Sequence, residues 1–154
     1  MQRRDVLRAG GAGTLFAVLA GAGLITPEQA RAASADRAAF AATTMEDALT
    51  ALGAGRPAVT QDIRVQAPDV AENGAVVPVT VTSALPGTTS IALLVERNRT
   101  MLAASFILPD GTLPTINTRI KMAESSDVYV LVSAGGRFYM TSREIKVTQG
   151  GCGG

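Results

Sequence analysis

After Pro57, apolar residues recur at every second position in short runs, which is the period of side chains along a β-strand. Val77, Val79 and Val81, for example, are separated by single proline or threonine residues. Short apolar runs of strand length, some alternating and some continuous, lie at residues 63–67, 77–82, 91–95, 101–108, 116–122, 128–132 and 138–147. About seven short strands at this spacing predict an all-β fold, an antiparallel β-sandwich of the immunoglobulin-like type.

Turn-forming residues separate many of the predicted strands. They lie at Glu72–Gly74, Pro86–Gly87, Asp110–Gly111 and Gly135–Gly136. Such residues are typical of tight connections between antiparallel strands. Pro78 lies inside a predicted strand, and proline cannot donate to a hydrogen-bond ladder. Its strand is therefore predicted to lie at a sheet edge or to carry a bulge.

One short amphipathic helix is predicted before the strands. Thr43 and Glu46 have the spacing of a capping box, which places the N-cap at Thr43. Four apolar residues then follow at the spacing of one helical face, and these are Met45, Ala48, Leu49 and Leu52. Gly53 comes next and is predicted to end the helix.

Two of the predicted strands, in the runs 91–95 and 101–108, are apolar at consecutive positions. Both faces of these strands should therefore be covered. The second face could be covered by the helix and loops of the same chain, or by a partner subunit. Because only one short helix is predicted, the sequence favours the partner.

The N-terminal residues 1–32 have the features of a cleavable export signal. Arg3 and Arg4 form a pair of the twin-arginine type, and an uncharged run rich in glycine and alanine follows from residue 9 to residue 27. Small residues at Ala30 and Ala32 suit a signal peptidase. The run contains too much glycine for a confident membrane anchor. A periplasmic protein without a membrane segment after processing is predicted, and an uncleaved N-terminal helix is the alternative.

The charge of the chain excludes one class of partner. Cleavage after Ala32 would leave 10 basic and 11 acidic residues, a net charge near −1. A strongly basic surface, which nucleic acid would require, is not available at this charge. Nucleic acid is therefore excluded as a partner.

The composition also excludes much of enzyme chemistry. The chain contains no histidine and one cysteine, so it offers neither a Ser-His-Asp nor a Cys-His arrangement. The same residues cannot form a zinc or haem site of the usual kind. No phosphate-binding glycine motif follows a predicted strand. We therefore predict no catalytic residue, no metal and no cofactor.

The chain ends with Gly150, Gly151, Cys152, Gly153 and Gly154. A single cysteine cannot form an internal disulfide, and an odd cysteine in an exported chain suggests intermolecular pairing or a reactive thiol. Glycines form no packed face, so residues 148–154 are predicted to be a thin, flexible arm beyond a β-sandwich domain of residues 33–147. The pattern favours Cys152 as a covalent attachment point, as in a group carrier. A disordered tail with an incidental cysteine is the alternative.

The glycine-rich ending around Cys152 resembles the signature of the SoxY family, the carrier subunits of the SoxYZ complex of periplasmic thiosulfate oxidation. Stretches at residues 71–79, 102–106 and 118–122 are also similar, so the resemblance covers essentially the whole chain. It implies an immunoglobulin-like fold and a heterodimer with a SoxZ-type subunit. It also implies that Cys152 carries thiosulfate-derived intermediates covalently.

The resemblance further implies a set of transient partners. A SoxAX-type haem enzyme would join thiosulfate oxidatively to Cys152, and a SoxB-type hydrolase would release the terminal sulfonate as sulfate. A SoxCD-type sulfur dehydrogenase is a further candidate, for oxidation of the sulfane that remains. The carrier itself would catalyse none of these steps.

Two other functions fit parts of the sequence. Gly153 and Gly154 could be the thiocarboxylate end of a ubiquitin-like sulfur carrier, although the export signal and the early helix argue against it. The domain could also be an adhesion or structural sandwich in which the tail has no role. Deletion of residues 150–154 would then leave function unchanged.

Overall fold

The computed structural model describes residues 26–151. The chain divides into two compact units, which are residues 1–36 and residues 37–154. Helix α1 spans Pro27–Ala41. Thr26 and Gln29 cap its start reciprocally, since each side chain accepts a hydrogen bond from the other residue's main-chain N–H, at 3.2 and 3.0 Å. This helix, which extends past the predicted cleavage point after Ala32, was not among the predicted elements. The predicted export arginines, Arg3 and Arg4, lie outside the described residues.

Helix α2 spans Met45–Ala51 and corresponds to the predicted amphipathic helix. Its N-cap is Thr44, so the prediction of Thr43 is wrong by one residue. Thr44 Oγ1 accepts a hydrogen bond from Asp47 N at 3.1 Å and donates to Asp47 Oδ2 at 2.7 Å. The predicted stop is confirmed, because Gly53 has a φ of 71° and the chain turns there.

The described residues form nine strands, which are β1 (Ala58–Val59), β2 (Ile63–Gln66), β3 (Val70–Asn73), β4 (Val77–Ser83), β5 (Thr88–Val95), β6 (Leu102–Ile107), β7 (Thr115–Ile120), β8 (Ser126–Ala134) and β9 (Arg137–Gln149). Seven of them match the runs predicted from the sequence, with bounds shifted by a few residues. Strands β1 and β3 were not predicted. Within residues 26–151, no helix is both long enough and apolar enough to cross a membrane.

The strands form two sheets. The larger has the order β1-β9-β8-β5-β6, with β3 paired to the far end of β9, and the smaller has the order β2-β4-β7. Pairing is antiparallel except where β1 and β3 run parallel to β9. This mostly antiparallel, two-sheet arrangement confirms the predicted immunoglobulin-like β-sandwich.

Alternation along the strands builds the core between the two sheets. Val77, Val79 and Val81 of β4 face Ile91 and Leu93 of β5, and all five belong to one buried cluster. Side chains of this size each contribute about 1.5–3 kcal/mol when they leave water. In β4 the residues between the valines, Pro78, Thr80 and Thr82, are more exposed, so the period-two pattern of this strand sets its core face directly.

The outer face of β5 is covered by the chain itself. Ala92 and Leu94 are buried in a second cluster together with four alanines from the helical part of the chain. Ala39 lies in the last turn of α1, Ala48 lies in α2, and Ala42 and Ala54 lie shortly after these helices. The prediction that a partner covers this face is therefore wrong for β5. Strand β6 differs, because it lies at the edge of the larger sheet and Ile107 is 82% exposed.

Pro78 lies in β4, which is the central strand of the smaller sheet. The prediction of an edge strand is therefore wrong for the strand as a whole. The four residues of β2 pair only with residues 80–83 of β4, so Pro78 has a paired neighbour on one side alone, at Arg119 of β7. The missing N–H of Pro78 therefore removes no bond to β2.

Replacement of Leu94 tests whether the helices, rather than a partner, bury the outer face of β5. Leu94→Ala should lower the free energy of unfolding of the isolated chain by about 2–5 kcal/mol, because it leaves a cavity beneath the helices. Urea denaturation followed by circular dichroism measures the change. Ile107→Ala is the matched control on the exposed edge, with an expected change below about 0.5 kcal/mol. Equal effects of the two substitutions would contradict the assignment.

Candidate functional site: the root of the C-terminal arm

The arm that was predicted from residue 148 begins later. Thr148 and Gln149 belong to β9, and the described structure continues through Gly150 to Gly151. Cys152, the predicted attachment residue, lies outside the described residues together with Gly153 and Gly154. The structure therefore shows the root of the arm up to Gly151, the residue before Cys152.

Strand β3 extends the sheet to the base of the arm. Strand β8 begins opposite Ile145, so the last residues of β9 have no β8 neighbour. There β3 pairs with β9 in parallel, with Ala71 opposite Val147 and Asn73 opposite Gln149. The side chain of Ser125 also bonds β9, since its Oγ accepts from Val147 N at 2.8 Å. The unpredicted strand is thus what keeps β9 ordered up to Gln149.

Two main-chain hydrogen bonds join the root of the arm to the domain, and a third links the two domain residues that make them. Gly74 N donates to Gln149 O at 2.7 Å, and Gly151 N donates to Met122 O at 3.0 Å. Met122 N in turn donates to Gly74 O at 2.7 Å, so the two residues that bond the arm are also bonded to each other. We call the four residues that lie against Gly150 and Gly151 the arm seat, and these are Gly74, Ala75, Met122 and Ala123. Gly151 itself is buried in the seat.

The arm seat leaves no room for a side chain. A Cβ atom added to Gly151 would lie 2.9 Å from both the N and Cα atoms of Ala75. A Cβ on Gly150 would meet the carbonyl oxygen of Ala123, and one on Gly74 would meet the carbonyl oxygen of Met122. Gly150 and Gly151 are therefore required for close packing. Their interpretation as part of a loose thread is corrected, and flexibility stays a prediction for the residues after Gly151.

The arm seat consists of main-chain groups rather than reactive side chains. Among the described residues, no group of histidine, cysteine, aspartate or glutamate has the arrangement of a metal site. Burial raises the pKa of Tyr129 above its ordinary value, and the negative charges of Glu96 and Asp127 add to the rise. A raised pKa means that this phenol stays protonated at neutral pH. What the seat provides is a fixed position for Gly151, the residue before Cys152 in the sequence.

The fold and the seated glycines define an immunoglobulin-like domain that carries a short C-terminal arm. Residues 49–152 match the family described as sulfur oxidation protein SoxY, and this match ends on Cys152. The sulfur carrier protein SoxY from Chlorobium limicola f thiosulfatophilum is 38% identical, over 71% of this chain and 96% of that chain, with a TM-score of 0.60. The chain belongs to the SoxY family.

A more distant structural likeness shows the fold alone. The superoxide reductase (neelaredoxin) from Ignicoccus hospitalis is 17% identical over 57% of this chain and 81% of that chain, with a TM-score of 0.50. None of the curated proteins matches this sequence.

A comparison of two arm glycines tests the close packing at the seat. Gly151→Ala should lower the free energy of unfolding by about 1–3 kcal/mol, because the added methyl group overlaps the main chain of Ala75. Gly153→Ala, two residues further along the arm, should change it by less than about 0.5 kcal/mol. Urea denaturation measures both. If Gly151→Ala is as stable as the wild-type protein, the assignment of close packing at the arm seat is wrong.

Proposed function

We propose that this chain is a periplasmic sulfur carrier that holds thiosulfate-derived intermediates on Cys152 and presents them to the enzymes of sulfur oxidation. The observation that carries the proposal is the match to the SoxY family, which ends on Cys152, the residue next to the seated Gly151. Cys152 is also the only thiol in the sequence. A carrier needs one attachment atom at a reachable position, and the chain supplies one.

The proposed cycle begins and ends on the sulfur atom of Cys152. A SoxAX-type haem enzyme removes two electrons as the thiolate and thiosulfate join, which gives Cys-S-S-SO₃⁻. A SoxB-type hydrolase then adds water, so that sulfate and two protons leave and Cys-S-S⁻ remains. Where a SoxCD-type dehydrogenase acts, it oxidises the outer sulfur before a further hydrolysis restores the thiol. In this scheme the domain provides position, and the enzymes provide the catalytic groups.

A SoxZ-type subunit is the proposed stable partner. The outer face of β5 is covered by the helices, so we do not propose that face as the surface for this subunit. Support for an interface comes from the edge strand β6, where Ile107 is 82% exposed and the main chain has a sheet neighbour on one side only. Exposed sheet edges of this kind are suited to pairing with another chain.

Mass spectrometry of the loaded carrier tests the proposed function. Incubation with thiosulfate and the haem enzyme should add the mass of one thiosulfate-derived group to the wild-type chain, because a single thiol is present. Cys152→Ser should gain nothing, and the wild-type chain without the enzyme is the control. An adduct on Cys152→Ser, mapped to the carboxylate of Gly154, would instead support a ubiquitin-like carrier. Unchanged pathway activity after deletion of residues 150–154 would favour a structural role.

Replacement of the arginine pair tests whether this chain and its partner are exported together. Twin-arginine signals serve proteins that cross the membrane already folded, and a partner that assembles first would account for such a signal here. Arg3 and Arg4 both replaced by lysine should therefore hold this chain and a signal-free SoxZ-type subunit in the cytoplasm. Cell fractionation measures the distribution of both. A partner that still reaches the periplasm in normal amount would show that the two chains are not exported together.

A further inference from the structure

Asn98 lies in the hairpin between β5 and β6 and is 8% exposed. Its side-chain amide makes two hydrogen bonds to another part of the chain. The Nδ2 group donates to Lys121 O at 2.8 Å, and Oδ1 accepts from Ala123 N at 2.9 Å. Asn98 therefore bridges the two residues that flank Met122.

Met122 is the residue on which the arm seat depends. Its N–H and its carbonyl oxygen are both used at the seat, the first toward Gly74 and the second toward Gly151. Its side chain is fully buried in the core between the sheets. The side chain anchors Met122 on one side, and Asn98 holds the main chain on either side of it. The position of the Met122 carbonyl, which accepts from Gly151, follows from these two restraints.

We propose that Asn98 is a positioning residue for Cys152, because it holds residues 121–123 in the shape that seats Gly151. The inference rests on the proposed function in that the positioned group is the carrier thiol. An amide suits the role because it offers one donor and one acceptor, which match a carbonyl and an N–H two residues apart. A carboxylate in its place would keep the acceptor and lose the donor.

Loss of the Asn98 amide should release the arm in a defined way. The bond from Gly74 to Gln149 and the pairing of β3 with β9 do not involve Asn98, so β9 should stay ordered to Gln149. Without the seat, the last anchored residue would move from Gly151 back to Gln149. Cys152 would then be three residues from its anchor instead of one, and the thiol would occupy a larger volume. Poorer positioning of a reacting group lowers the rate of its reaction.

A nitroxide label on Cys152 measures this release directly, because the label attaches to a unique thiol. Electron paramagnetic resonance should show a narrower line, and so a more mobile label, in Asn98→Ala than in the wild-type chain. Asn98→Asp should lie between them, and it serves as the second variant if Asn98→Ala does not fold. Ser83→Ala is the matched control, since Ser83 is 3% exposed and bonds Thr88 and Leu85 rather than any residue of the arm seat. The control should leave the line shape unchanged.

The positioning role of Asn98 and the proposed carrier function can be refuted separately. A line shape in Asn98→Ala equal to that of the wild-type chain would overturn the positioning role, even if thiosulfate adducts form on Cys152. Narrowing of the line without any adduct would keep the positioning role and refute the proposed carrier. With loaded carrier as substrate, Asn98→Ala should lower kcat/KM of the SoxB-type hydrolase on the order of tenfold. Ser83→Ala should not lower it, and equal losses in both variants would indicate a general stability effect.

Discussion

The arm end of this domain depends on main chains that approach one another with no side chain between them. Gly74, Gly150 and Gly151 make this approach geometrically feasible, and hydrogen bonds from the main chain of Met122 hold it together. Glycine loses more conformational freedom on folding than any other residue, so ordering these positions is costly. The bonds and the burial at the seat offset that cost. The result is a C-terminal segment that is fixed up to the residue before its single thiol.

Several elements could be predicted from the sequence because their signals are local. The alternation in β4 and the apolar run of β5 identify strands whichever neighbour they pair with. The N-cap was misplaced because Thr43 and Thr44 each have an acidic residue three positions later, at Glu46 and Asp47, so the spacing alone does not choose between them. The glycines were misinterpreted for a different reason. Lack of a Cβ atom permits both flexibility and close packing, and only the neighbouring chain segments distinguish the two.

Other features depend on contacts that a single sequence does not reveal. Strand β3 buries only Ala71 of its four residues, so it has no alternating pattern, and its order comes from pairing with β9. The cover over Leu94 comes from alanines, whose small side chains let helices lie close to the sheet. A partner was favoured for that face because only one short helix was predicted, whereas the structure has two helices in this part of the chain. No role for Asn98 was predicted from the sequence, since its two partners are more than twenty positions away.

The burial of Gly151 limits how far the thiol can travel while the arm stays seated. Consecutive Cα atoms are about 3.8 Å apart, so Cys152 remains within one residue of the domain surface. An enzyme that acts on the sulfur must then bring its reacting atoms almost into contact with the loops at this end of the sandwich. In the proposed cycle, enzymes with unrelated chemistry would meet the same few loops in turn. The surfaces with which these enzymes bind the carrier should therefore resemble one another in shape, however different their catalytic centres are.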